Sequence, residues 1–429
     1  SAGGALVLDR IRSLAAYQDL LSEIRKNQPI QGLGLMRSAR LPVLAALHAD
    51  LQQPVLFITD RTDHALTLLD ELNFWTAPSI PQYFPEPNPL FYENAAWGTV
   101  TRRDRLQALT RLATYSLLGA KKPEFPPIII APVRAVMTRT LPRRDFIKNT
   151  RVLKVSTENS PETLVRSWVS IGYQFADTVV EPGQFARRGG ILDIWPPAES
   201  LPVRLDFFGD EIDSMRQFDP ATQRTVTPLD KLLITPAREI LAGYASPEIA
   251  NAPGLDEFSL PIVHPIPASI LDYLPAGALI FLDDMDLLQN VANEIEEQSV
   301  KLRADSIQEG TLLADFPVPY TSWSELADIL SSASYVEMGY SSRSEPSQLS
   351  DAFQPGPRYA GRLQYFMEFL AGLCQREQPS VVVSRQVARL KELWDEQRNR
   401  EPQDNYNQPV CRKHKELYTL CLRGGCRSC

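Results

Sequence analysis

Two short apolar runs constrain this chain more than any other feature. Pro54-Val-Leu-Phe-Ile-Thr-Asp60 and Pro126-Pro-Ile-Ile-Ile-Ala-Pro132 are each one strand long, and their side chains are apolar on both faces. A strand of that kind must be covered on both sides. The intervening and following segments read as helices: 39–51 with Pro42 in its first turn, His64–Leu72, Arg102–Leu118 and Val133–Thr140. Residues 11–26 read as one further helix near the start of the chain. Buried strands alternating with helices predict a parallel sheet in an α/β fold. With 429 residues there is room for two to four domains. A 44% hydrophobic and 22% charged composition excludes bulk disorder and a fibrous fold.

From about residue 151 the pattern changes. Residues 161–173 read as a helix, followed by short alternating strands at Gly190–Trp195, Val203–Phe208 and Glu211–Phe218. Gly209-Asp210 is a hairpin signal between the last two. This is a small α+β unit inserted in the chain. Mixed α/β patterning returns with a buried strand at Ala278–Leu282 and an acidic amphipathic helix at Leu287–Ile307. A Ser-rich stretch over 341–350 reads as a linker, then come a helix at Tyr365–Cys374 and a strand at Pro379–Val383. The predicted organisation is therefore 1–150, 151–240 and 241–340, a linker at 341–352, an incomplete α/β domain at 353–397, and a tail at 398–429 that is disordered or non-native. Thirty-five prolines against 21 glycines suit stiff connections between these parts.

Charge is distributed unevenly. The net charge is −8, which disfavours a dedicated nucleic-acid coat. Yet residues 102–151 carry twelve Lys/Arg against three Asp/Glu, and 241–355 carry three against eighteen. The basic block could face phosphates, giving weak DNA contact, or an acidic neighbouring domain; a solvated surface is the plainer reading, because helix faces often carry such charges. No run of 18 apolar residues encodes a membrane span, and the first residues lack the layout of a secretory signal, so a cytoplasmic chain is expected.

A nucleotide-binding phosphate loop needs Gly, Lys and Ser/Thr at set positions between strand and helix. The nearest match starts at Gly34 and has Ala39, Arg40 and Leu41 at those positions. The metal-holding hydroxyl is gone, and a Cβ stands where backbone must approach phosphate. No cofactor is expected. Asp60, Asp63, Asp283, Asp284 and Asp286 fall at or beyond strand ends, where they read as solvated helix starts rather than Mg²⁺ ligands. No nucleophilic triad can be assembled. The tail holds Cys411, His414, Cys421, Cys426 and Cys429, a set that suits Zn²⁺ by type but is closely spaced for a zinc finger; a frameshifted end is the competing reading.

The small unit is more informative. Along Val203–Phe208, alternation sends Val203, Leu205 and Phe207 into the core and places Arg204, Asp206 and Phe208 together on the other face. An arginine beside an exposed aromatic is the composition of a binding hot spot. An Arg204–Asp206 surface pair is the plainer alternative. Arg187-Arg188-Gly189-Gly190 lies just upstream.

Gly183-Gln-Phe-Ala-Arg-Arg-Gly-Gly-Ile-Leu-Asp-Ile-Trp-Pro-Pro197, Pro202-Val-Arg-Leu-Asp-Phe-Phe-Gly-Asp-Glu-Ile-Asp-Ser214 and Phe218-Asp-Pro-Ala-Thr-Gln-Arg224 resemble the UvrA-binding domain shared by UvrB and the transcription-repair coupling factor (Mfd) family. Gly32–Leu41 is similar to that family's decayed phosphate loop, and Ile128–Ala135 also resembles the coupling factors. The resemblance covers residues from about 5 to about 397. It implies a degenerate RecA-like, UvrB-like body interrupted by a UvrA-binding domain. It also implies a role in nucleotide excision repair, recruiting UvrA to stalled RNA polymerase. Its UvrA-contacting positions fall on Arg188, Arg204 and Phe208. In the family, RNA polymerase and double-stranded DNA are engaged by later domains, which include a motor that uses ATP and Mg²⁺. The sequence here has no intact nucleotide motif and no helicase motif set, so the chain is expected to be non-catalytic, as a truncated or frameshifted member or a fragment. The alternative is a UvrB-like, ATP-dependent damaged-DNA-binding protein.

Overall fold

A computed structural model describes residues 2–251, 254–376, 380–384, 386–400, 410–414 and 417–422. The chain forms two compact units. One comprises residues 1–52, 66–81 and 334–429, and the other 53–65 and 82–333.

The second unit is built on the two apolar runs. Val55–Thr59 lies between Leu279–Leu282 and Ile128–Pro132, parallel to both, with Val55 opposite Leu279 and Ile128. All five positions of the first and third strands are buried. Phe84 extends the pairing, its N–H donating to the Ile130 carbonyl at 3.0 Å. The helices Thr99–Ala113, Val133–Met137 and Met285–Gln308 accompany this sheet.

Residues 151–154 and 231–234 pair antiparallel, with Arg151 opposite Ile234. The entry and exit of the inserted segment are thus tied into one ribbon. Between them stands a six-stranded sheet in the order 225–229, 211–218, 203–208, 191–194, 184–188, 174–175. It has twice the number of strands expected. Gln184–Arg188 and Thr225–Leu229 escape prediction because their side chains do not alternate cleanly in polarity. The helix Pro161–Ser170 packs through Trp168, whose ring meets Phe185 edge-on at 5.9 Å.

In the first unit, the predicted helix over 11–26 is two helices, Ala2–Arg12 and Ala15–Ile24. The break has a local cause: the Ser13 hydroxyl donates to the Arg10 carbonyl at 2.7 Å, and Leu14 is extended (φ −75°, ψ 131°). Tyr17 donates to Asp50 at 2.6 Å, fixing the second helix to Arg37–Leu51. The helix Leu363–Gln375 packs on Val387–Arg400 through Met367, Leu370, Leu390 and Trp394. Part of the tail expected to lack order is paired: Val410–His414 and Leu417–Leu422 form an antiparallel hairpin whose second strand lies against Ser380–Ser384. The remainder of 401–429 lies outside the described residues, as do the side chains of Cys411, His414, Cys421, Cys426 and Cys429.

Candidate interaction face

The cross-strand register sorts the six-stranded sheet into two faces. Phe185, Leu192, Ile194, Val203, Leu205, Ile212 and Met215 are buried on one. The other carries Ala186, Asp193, Arg204 and Arg216 in one row, then Arg188, Ile191, Asp206 and Ser214 in the next. Pairing then steps from Asp206–Ser214 to Phe207–Ile212, so Asp213 is an extra residue in its strand, a β-bulge. Phe208 pairs with Glu211 across Gly209-Asp210, where Gly209 has φ +61°. The backbone there is left-handed, which glycine adopts without strain.

Arg204 sits in the centre of this face, but it is not a free cation. Its Nε and Nη2 donate to the two carboxylate oxygens of Asp193 at 2.7 and 2.8 Å, and Nη2 also reaches Gln223 at 2.8 Å. Its guanidinium lies over the Phe218 ring at 4.4 Å. The Asp193 bond raises the pKa of Arg204 above its ordinary value, fixing the charge. The alternative Arg204–Asp206 pair does not form; Asp206 instead accepts from Arg216 and from the Ser214 hydroxyl. Alternation places these groups on one face, but it cannot say which carboxylate on a neighbouring strand lies opposite. Asp193 was missed, although a lone carboxylate within Ile191-Leu-Asp-Ile194 is a signal that a buried partner exists.

Phe208 stands apart, 82% exposed at the end of its strand. Phe207, expected in the core, is only half-buried. Its N–H donates to the Gly190 carbonyl at 2.9 Å, so the 188–190 turn and the 208–210 turn are neighbours at one end of the sheet. Arg188, two strands from Phe208 and so about 10 Å away, is exposed. Its Nη2 donates to the Asp177 carbonyl at 3.0 Å and to the Thr178 hydroxyl at 2.9 Å. The three sequence-predicted residues therefore lie toward one face and end of one sheet, in different states: one locked, one tethered, one bare.

The loop beginning near Gly34 is enclosed by its own unit. Leu33, Gly34 and Leu35 donate their N–H groups to the carbonyls of Glu337, Gly339 and Met338 at 2.9–3.0 Å, and Gly32 donates to the Glu337 carboxylate at 3.2 Å. Arg40 is buried and donates to the Leu35 carbonyl at 3.0 Å. Ala39 and Leu41 are buried. The Ser-rich stretch expected as a linker is anchored here, with the Ser347 hydroxyl donating to the Leu33 carbonyl at 2.7 Å and Ser344 to that of Gln31 at 3.1 Å. A Cβ on Gly34 would lie 2.7 Å from Pro346 Cβ.

Much of the basic block points inward. Arg105 is fully buried, held by Glu239 at 2.9 Å and by the Pro85 carbonyl at 3.0 Å, with Phe84 and Trp97 against its plane. Arg139 donates to the carbonyls of Val318, His264 and Pro265. Arg134 donates to those of Pro87 and Pro89. These three of the twelve cations are neither solvated nor turned to an outside partner: they are held by Glu239 and by loop carbonyls. Asp60 and Asp283, expected as solvated, are buried on either side of the Thr59 hydroxyl, at 3.1 and 2.9 Å. Burial alone would raise the pKa of Asp60, but the His64 imidazole at 2.6 Å, with the Arg61 N–H and Thr59, brings it below the usual range. Among the described residues no cluster is suited to hold a metal ion, and no helix is long and apolar enough to cross a membrane.

Residues 152–240 match the UvrB interaction domain family. Over 327 residues, 67% of the chain, the sequence is 27% identical to a transcription-repair-coupling factor of Bacillus subtilis (strain 168), covering 27% of that protein. It is 32% identical over 239 residues to the factor of Myxococcus xanthus, covering 19% of it. It is 25% identical over 241 residues to the UvrABC system protein B of Synechocystis sp., covering 35%. The chain is thus similar to the N-terminal region of transcription-repair-coupling factors, and it spans 19% to 35% of the length of these relatives.

Proposed function

We propose that this chain, a relative of the N-terminal region of transcription-repair-coupling factors with a UvrB interaction domain at 152–240, is a docking module for UvrA. In this reading it brings UvrA to stalled RNA polymerase in nucleotide excision repair. RNA polymerase and double-stranded DNA enter only through what the relatives are called. The observation that carries the reading is Phe208, 82% exposed on an ordered hairpin beside a network-locked arginine. A rigid, exposed aromatic at the edge of a satisfied polar face has the make-up of a hot spot.

We read residues 1–150 and 241–340 as a UvrB-like, RecA-like body interrupted by the UvrA-binding domain at 151–240. The loop from Gly34 to Leu41 is then a phosphate loop that has lost its chemistry, and the chain by itself is non-catalytic. Phosphate cradling needs free backbone N–H groups. Within the loop, those of Gly34 and Leu35 are taken by the carbonyls of Gly339 and Met338, which supports this reading over an ATP-dependent damage-binding protein. The test is titration calorimetry of the purified chain into UvrA. Binding by the wild type and its loss in Phe208→Ala are the expected result. Equal affinity of the two would remove Phe208 from the site, and saturable Mg²⁺-dependent binding of an ATP analogue would restore the enzymatic alternative.

A further inference from the structure

The loop joining Gln174–Phe175 to Gln184–Arg188 is fixed at three points. Val179 is fully buried beneath it. At one end Arg188 holds the Asp177 carbonyl and the Thr178 hydroxyl. At the other, the Gln184 side-chain oxygen accepts the N–H groups of Val180 and Glu181 at 2.9 and 3.2 Å. Gln184, Ala186 and Arg188 alternate onto the face that carries Asp193 and Arg204. Both clamps therefore rise from the side of the sheet where Phe208 emerges. The side chain this arrangement presents is Val180, 62% exposed. A single exposed valine on a mobile loop would mean nothing. A valine on a loop held by two long polar side chains has had its ordering cost met before any partner arrives.

We infer that Arg188 is a positioning residue of the proposed UvrA-binding face, and that the contact it serves is Val180, which extends the apolar part of that face from Phe208 toward the sheet edge. The inference rests on the UvrA reading. It assigns to Arg188 a role different from a rim cation that attracts acidic groups: its hydrogen-bonded Nη2 is occupied within the chain. The two roles separate kinetically. A rim cation acts on the association rate and its salt dependence, whereas a lost positioned contact acts on dissociation.

The experiment is surface-plasmon measurement of purified UvrA binding to the immobilised full chain at two ionic strengths, with circular dichroism confirming that each variant is folded. Val180→Asp is expected to dissociate at least tenfold faster. Arg188→Ala is expected to dissociate several-fold faster, with its association rate and salt dependence as in the wild type. The inference is overturned if Val180→Asp behaves as wild type, or if Arg188→Ala slows association and flattens its salt dependence while its dissociation stays as in the wild type. The wild type and Phe208→Ala separate the two levels of argument. If the folded wild type does not bind UvrA, the UvrA reading fails and the inference with it; if Phe208→Ala binds as wild type, Phe208 leaves the site and the inference, which extends the face from it, fails while UvrA docking stands; if Phe208→Ala loses binding while Val180→Asp does not, the inference alone fails.

Discussion

Replacing Arg204 with alanine should damage the sheet before it damages any interface. The arginine is the bidentate partner of Asp193, whose side chain is 6% exposed, and it caps the buried Phe218 ring. Removing it strands a carboxylate that has little access to water. Breaking a buried pair in this way costs about 3–5 kcal/mol. Arg204 retains 17% side-chain exposure, so water can partly replace it, and the lower end, about 3 kcal/mol, is the appropriate figure. A chain of several units does not unfold in one step, so the measurement must be local. Hydrogen exchange of the amides in 191–194 and 203–208 reads the opening free energy of this sheet. At about 1.4 kcal/mol per decade, exchange there should accelerate on the order of 100-fold, while 55–59 and 128–132 stay protected. Arg204→Met combined with Asp193→Leu removes both charges at similar volume and should recover most of the loss. Unchanged exchange in Arg204→Ala, or a double variant as impaired as the single one, would refute this account. The consequence for function is direct: lost UvrA binding in Arg204→Ala alone does not identify a contact.

Phe208→Ala should behave in the opposite way. With 82% of the residue exposed, little burial is lost, and local stability should change by less than about 1 kcal/mol, while UvrA affinity falls by about 2 kcal/mol in calorimetry. His264 is 2% exposed and accepts the Leu241 N–H at 3.1 Å. Burial, only partly offset by Asp145, lowers its pKa to about 4. Because the folded value lies below the unfolded one, its contribution is present above the unfolded pKa of about 6.5. It is lost as pH falls through 6.5 toward 4, and is worth at most about 3 kcal/mol. Hydrogen exchange of the Leu241 amide, corrected for the pH dependence of intrinsic exchange, should show that slope between pH 7.5 and 4.5, and His264→Gln should flatten it. Gly34→Ala would place a Cβ 2.7 Å from Pro346 at a φ of +69°. It should loosen the Ser-rich stretch, seen as faster tryptic cleavage after the exposed Arg343.

The strands of the parallel sheet were legible because burial on both faces writes itself into consecutive residues, as in Ile128–Pro132. The hairpin at Gly209-Asp210 was legible because turn chemistry is local. What could not be read was the partner of each charge. Arg204 meets Asp193 eleven residues back, and Arg105 meets Glu239 far along the chain, because strand register and packing decide those meetings. Residues 102–151 looked like a surface because composition does not reveal carbonyls, and carbonyls are what Arg134 and Arg139 hold. The split at Ser13-Leu14 was hidden because the apolar spacing continues across a break that a serine hydroxyl makes.

The loop at 32–35 also bears on what this sequence could become. Restoring glycine, lysine and a hydroxyl at Ala39, Arg40 and Leu41 would rebuild a motif on paper. Two of the loop's backbone donors, those of Gly34 and Leu35, would still belong to Gly339 and Met338. Freeing those donors for an anion would mean breaking the pairing with residues 338 and 339, next to which Ser344 and Ser347 hold the carbonyls of Gln31 and Leu33. Three restored side chains would thus meet a backbone already committed to its own unit.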